Sequence, residues 1–183
     1  MDDKTKIIYL TGKPGVGKYS IAKELAKNYG FIICDNQLIN NPIFELLQYD
    51  GCGDVPEFAW EAVSRIRNEV LDFLSKEPRN NYVLTNCLAD TESDRAVYEQ
   101  VKSMAEARNS GFYPVALTIN REEHLKRLNR PERLERLKSI NPINAEDNGA
   151  LISITHPNLL ELEISNLSAK EAAAKIADKI WLK

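Results

Sequence analysis

The sequence predicts a three-layer α/β/α domain built on a five-stranded parallel sheet. Three observations carry that expectation. Short β-rich apolar runs alternate with longer segments of helical period along the whole chain, which is how a parallel sheet with crossover helices reads. No repeat or low-complexity linker divides them. The 183 residues, 43% apolar and 28% charged, have an ordinary globular composition. One domain over 1–183 of that size buries roughly two-thirds of its unfolded surface and needs no metal or disulfide to fold.

The first strand is 6–11 (KIIYLT), an apolar run too short for a helix and ended by glycine. A helix over about 17–29 follows, with Ile21, Ala22, Leu25 and Tyr29 on one face and Gly30 placed for a left-handed C-terminal residue. Residues 31–34 form a second buried strand ending at Asp35. The stretch 36–56 is the least regular: Asn-rich, helical at most over 43–47, then Asp50-Gly51-Cys52-Gly53-Asp54. A long helix over 57–76 sets Ala59, Ala62, Val63, Ile66, Val70, Phe73 and Leu74 on one stripe. Residues 82–88 (YVLTNCL) are a third strand, 92–108 a helix ended by Gly111, and 115–119 a fourth strand. A short helix over 122–128 leads into an Arg-rich stretch to Lys138. The last strand is 159–164, and Ser168-Ala169-Lys170-Glu171 is a capping box opening the last helix.

A net charge of −3, without Lys or Arg massed at a terminus, argues against a nucleic-acid partner. No apolar run approaches the ~18 residues of a membrane span, and the acidic start Met1-Asp2-Asp3 lacks a signal-peptide layout. The expectation is a cytoplasmic protein, monomeric or a homodimer. Cys34, Cys52 and Cys87 are odd in number and widely spaced, which reads as free thiols, Cys52 the most exposed, rather than a metal site or a disulfide.

Gly12-Lys13-Pro14-Gly15-Val16-Gly17-Lys18 has the Walker A spacing, directly after the first strand and opening a helix. Glycines let backbone N–H groups turn inward around phosphate oxygens. The helix N-terminus points its free N–H groups at the same anion, and Lys18 adds a full charge for the β- and γ-phosphates. The cofactor-binding set expected here is Gly12, Pro14, Gly15, Val16, Gly17, Lys18, Tyr19 and Ser20. One departure stands out: the hydroxyl residue that normally follows the lysine and ligates Mg²⁺ is Tyr19, with Ser20 next. Ser20 lies about 100° further round the helix, so a water is expected in the usual hydroxyl's place on the metal.

With that loop in place, the chain resembles the small P-loop kinases: adenylate, shikimate and gluconate kinases and chloramphenicol phosphotransferase. It looks closest to bacterial proteins labelled AAA-family ATPases or predicted kinases, although it lacks the long sensor regions of AAA motors. The resemblance rests on Gly12 to Ser20, on Asp35-Asn36-Gln37, on YVLTN, on the Arg-rich segment and on the closing strand and capped helix. It implies a P-loop NTPase fold of strand order 2-3-1-4-5 with a lid over about 127–150. It also implies ATP and Mg²⁺ as cofactors and a small-molecule acceptor as partner.

Asp35 ends a strand on the edge where open α/β sheets bind ligands. In shikimate-kinase-like proteins an acid here contacts the acceptor or its metal. It could take or hold the acceptor's hydroxyl proton, or it could simply cap the next helix. With Ser20 it is the expected metal ligand. The resemblance places lid arginines on the transferred phosphate: Arg127 near the adenine, Arg133 and Lys138 closing on phosphates, within a cluster that includes Arg130 and Arg136. The other reading of that cluster is a solvated helical face paired by Glu132 and Glu135. Lys18, Asp35, Arg127 and Arg133 are the expected catalytic residues. Arg65 and Arg67 would border the acceptor pocket, as a nucleoside monophosphate kinase requires, or face water. Trp60 and Phe58 could line the pocket or simply pack, and packing is the favoured reading. The YVLTN strand ends at Thr85 and Asn86 without a Walker B carboxylate, leaving Asp35, Asp90, or phosphates and water to hold the metal. His156 reads as a turn residue. A nucleotide-binding regulatory ATPase with little kinase activity is the further alternative.

Overall fold

The computed structural model describes residues 4–51, 53–129, 137 and 149–181. In order they form β1 (Lys6–Thr11), α1 (Lys18–Tyr29), β2 (Ile32–Cys34), α2 (Asn36–Leu46), α3 (Glu57–Lys76), β3 (Tyr82–Asn86), α4 (Glu92–Ala107), β4 (Gly111–Thr118), α5 (Arg121–Leu128), β5 (Leu160–Glu163) and α6 (Ala169–Trp181). All strand pairs are parallel and the sheet order is β2-β3-β1-β4-β5. Fold class and strand order are therefore as the sequence and its resemblance imply.

Strand alternation feeds two cores. Ile8 and Leu10 of β1 join Val83, Val115 and Leu117 under α1 and α6, packing on Ile21, Leu25, Ala173 and Ile176. Ile7 and Tyr9 point the other way, with Leu84 and Phe112, against Leu71 and Leu74 of α3 and Tyr98, Val101 and Met104 of α4. A smaller cluster of Ile39, Phe44 and Val63 joins α2 to α3. Burial of these side chains at roughly 25 cal/mol per Å² is the main favourable term holding the layers together. Among the described residues no helix is long and apolar enough to cross a membrane. Cys34 and Cys87 are thiols and not disulfide halves, and Cys52 lies outside the described residues.

Three expectations change. Residues 36–46 are helical rather than irregular: Asp35 accepts the N–H of Leu38 as an N-cap, and buried Ile39, Asn40 and Phe44 hold the helix against α3 despite Pro42. β4 begins at Gly111, four residues before the predicted start, and passes through Pro114. β5 pairs with β4 only from Val115 onward, so Pro114 lies where β4 has a strand on one side only. On α3 the buried positions are Ala59, Val63, Leu71 and Leu74, while Phe73, expected on the inner stripe, is 60% exposed. The predicted capping box of α6 forms: Ser168 N–H donates to Glu171 Oε2 (2.8 Å), and Glu171 N–H to Ser168 Oγ (3.2 Å).

Candidate active site

The loops after β1, β2, β3 and β5 border one cleft of about 1240 Å³ along the C-terminal edge of the sheet, where such sheets take ligands. Its floor at one end is the loop 12–17 and the start of α1. Gly12 has φ +146° and Gly15 φ +87°. A Cβ on Gly12 would lie 2.7 Å from the Leu117 carbonyl oxygen, and one on Gly15 would lie 2.7 Å from Leu128 Cδ2. Backbone angle and neighbour both demand glycine there. Val16 sends its side chain into the core, so only its backbone is left for a ligand.

The carbonyls of this loop are tied down. Lys18 Nζ donates to the oxygens of Gly12 and, at 2.9 Å, Lys13. His124 Nε2 lies 2.6 Å from the Pro14 oxygen, and Arg127 Nη1 donates to the Val16 oxygen at 2.9 Å. A carbonyl only accepts, so His124 carries its proton on Nε2 in this bond. In a planar trans peptide the next N–H points opposite to the carbonyl. Anchoring Pro14 and Val16 to α5 therefore turns the N–H groups of Gly15 and Gly17 to the other side, and both glycines line the cleft. α1, twelve residues long, has no acidic residue in its first turn to cancel its positive end. Loop, helix end and Lys18 amine together fit a polyphosphate.

Arg127 belongs to α5, and its guanidinium is a bracket. Nε donates to Glu123 (2.8 Å), Nη1 to Val16 and Nη2 to the Ile164 oxygen (3.1 Å), while the residue still lines the cleft. Sequence reasoning missed His124 altogether. The signal was present: His124, Arg127 and Leu128 fall at helical spacing on one face of an otherwise polar helix. It also missed Ser165, Asn166 and Leu167, which line the cleft next to Ser168 at the start of α6. Arg130, Arg133, Arg136 and Lys138 lie outside the described residues, as does most of the expected lid at 127–150.

Tyr19 and Ser20 both line the cleft, Tyr19 with Lys23 Nζ 5.4 Å from its ring centre. Asp35 is only 3% exposed. It caps α2 and lines the cleft too. Thr85 Oγ1 accepts the Asn36 N–H at 3.2 Å, and Asn86 Nδ2 donates to the Tyr9 hydroxyl at 3.2 Å. Burial pushes that hydroxyl's pKa far above its usual value. Asp90 pairs with Arg95 and is not among the lining residues. Arg65 is exposed. Arg67 lies behind the lining near Tyr9 and Asp94; burial pushes its guanidinium pKa down, and those two neighbours oppose the shift. Phe58 is exposed rather than packed. Trp60 stands edge-on to Phe44 and reaches the cleft. His156 sits in a turn, its Nδ1 accepting the Asn158 N–H.

Among the described residues no three His, Cys, Asp or Glu cluster as a metal site. Mg²⁺ needs less, because it keeps several waters and takes one or two protein oxygens beside substrate phosphates. Ser20 and Asp35 line the same cleft as the loop, and that donor set fits such an ion.

No curated protein matches the chain by sequence. Among solved structures, the Deinococcus radiodurans tunicamycin resistance protein is similar at TM-score 0.60 and 17% identity, over 98% of each chain. The Mycobacterium tuberculosis APS kinase in complex with AMPPNP and APS is similar at 0.57 and 17%, over 97% of this chain and 98% of that one. Shikimate kinase from Acinetobacter baumannii in complex with shikimate gives 0.53 and 18%, over 96% and 93%. A family described as AAA domain matches residues 8–148, most of the chain and all of the loop. By that match the protein belongs to the AAA domain family, in the fold of the small P-loop kinases.

Proposed function

We propose that this protein transfers the γ-phosphoryl group of ATP to a small hydroxylated acceptor. The observation that carries the reading is one cleft whose lining runs from the loop and Lys18 through Asp35 to Phe44, Tyr49, Val55 and Trp60. The backbone around Gly12, Pro14, Gly15, Val16 and Gly17, with Tyr19 and Ser20, holds the triphosphate, and Lys18 polarises it. Asp35 orients the acceptor hydroxyl. Its oxygen bonds to the γ-phosphorus, the bond to the β–γ bridging oxygen breaks, ADP leaves with that electron pair, and the hydroxyl proton passes to Asp35. Ser20 and Asp35 would hold a Mg²⁺, which supplies charge neutralisation at the β- and γ-oxygens. Arg127 steadies the loop, and Arg133 and Lys138 of a lid over 127–150 close on the phosphates and exclude water. We place the protein in the cytoplasm, as a monomer or homodimer acting on small molecules.

Lys18→Ala tests this reading. Calorimetric ATP affinity and phosphoryl transfer should both fall by at least about a hundredfold; unchanged turnover would refute the role. A second reading, a nucleotide-dependent regulatory ATPase, is favoured by Tyr19 at the usual hydroxyl position and by the acid-free end of β3. ATP binding without transfer to any acceptor would support it. The monophosphate-kinase reading has no support from Arg65 and Arg67, since neither lines the cleft.

A further inference from the structure

The far end of the cleft differs in kind from the loop end. Of eight large apolar side chains exposed among the described residues, five (Leu38, Leu46, Leu47, Phe58 and Trp60) come from α2, the link after it and the start of α3. Of these five, Trp60 lines the cleft. Phe44 organises this end. Its ring centre lies 4.9 Å from that of Tyr49, and Trp60 stands edge-on at 5.5 Å and 79°. Tyr49 is brought there by its own N–H, which donates to the Phe44 oxygen at 3.0 Å, across a turn in which Gln48 takes the uncommon φ of +52°. Phe44, Tyr49, Val55 and Trp60 all line the cleft, and Trp60 remains 45% exposed there.

Charge at this end is as one-sided as its shape. Among the described lining residues, Lys18, Lys23, Glu123 and Arg127 belong to the loop end, and Asp35 is the one charged group on the acceptor side. A phosphate or carboxylate carried by the acceptor would face that carboxylate without a described cation to meet it, and desolvating an unmatched charge is costly.

We infer, resting on the kinase reading above, that the acceptor is an uncharged hydroxylated compound bearing an aromatic ring. The ring packs against Tyr49 and Trp60 while the hydroxyl to be phosphorylated lies at Asp35. The transfer itself is the one written above: oxygen to γ-phosphorus, proton to Asp35, ADP released. Two matched series test the class by calorimetry on protein saturated with Mg²⁺ and AMPPNP: phenyl β-D-glucoside against glucose and glucose 6-phosphate, and 2-phenylethanol against ethanol. Each aromatic compound should bind roughly tenfold tighter than its ring-free partner, the increment expected of well-placed aromatic contacts, and glucose 6-phosphate should bind no better than glucose. Trp60→Ala should erase most of that advantage and Trp60→Phe should retain it. Phe73→Ala, exposed elsewhere on α3, should leave it unchanged. If neither aromatic probe outbinds its partner, if Trp60→Ala preserves the advantage, or if glucose 6-phosphate binds tightest, the acceptor class is wrong while the kinase reading stands. If AMPPNP itself fails to bind, both fall.

Discussion

Replacing Gly15 by alanine would force a methyl group into space that α5 already fills. The new Cβ would lie 2.7 Å from Leu128 Cδ2 and 2.9 Å from its Cγ, at a φ of +87°. Leu128 is 1% exposed, so it cannot swing into solvent. Left-handed backbone costs a non-glycine residue about 1–2 kcal/mol, and overpacking a filled site costs about 1–3 kcal/mol. Alanine recovers about 0.4–1 kcal/mol by restricting the unfolded chain, which leaves a net loss of about 1–5 kcal/mol. Leu128→Ala alone should cost about 2–5 kcal/mol as a core truncation, but it removes both overlapping atoms. The double variant should therefore be more stable than the sum of the singles by about 1–3 kcal/mol. Urea unfolding followed by circular dichroism gives the cycle, and calorimetry gives ATP affinity, which should fall at least tenfold in Gly15→Ala as the loop shifts. Additivity within about 0.5 kcal/mol, or unchanged ATP affinity in Gly15→Ala, would refute the packing argument.

His124→Leu removes the donor to a part-buried loop carbonyl and should cost about 1 kcal/mol of stability and several-fold in ATP affinity. His124→Gln, whose amide nitrogen can reach as Nε2 does, should restore much of both, as parallel melting and titration curves would reveal. Asp35→Asn keeps a good cap and should stay within about 0.5 kcal/mol of wild type while phosphoryl transfer drops about a hundredfold or more. Asp35→Ala should lose about 1 kcal/mol in addition, so equal stability of the two variants would remove the capping role. Far from the cleft, burial pushes the Glu77 carboxyl up, but hydrogen bonds from the Arg79 N–H, the Tyr82 hydroxyl, the Arg79 side chain and the Asn80 N–H outweigh it and hold the pKa down at about 2. The unfolded value is near 4.5, so the stabilisation is complete above that pH and drains away as pH falls toward 2. Glu77→Gln should lower the melting temperature at pH 7 and flatten the acid limb, a pattern a melting series from pH 7 to 2.5 would show.

The fold was legible because its signals are local. Strand β1, helix α3 and the Ser168 capping box each announce themselves within a few residues. The failures lie where tertiary contacts outvote local chemistry. Asn-rich α2 with its Pro42 reads as a loop, yet burial of Ile39 and Phe44 against α3 folds it. The fourth strand reads as starting only at Val115, and the pairing limit of β5 explains why β4 can run through Pro114 before it. At the site, the loop and Lys18 follow from spacing alone. His124 became legible only with the structure, because its partner Pro14 lies 110 residues away, and no periodicity reports a contact at that separation.

Since α5 fastens the outer side of the cradle, selection on nucleotide handling reaches a helix that need touch no phosphate. In a saturation map of tolerated substitutions, positions 124, 127 and 128 would look as intolerant as the glycines they brace, while their solvent-facing neighbours Glu122 and Lys126 would accept nearly anything. A reader of that map without the coordinates would draw the catalytic centre one helix too wide, and would have found its scaffold.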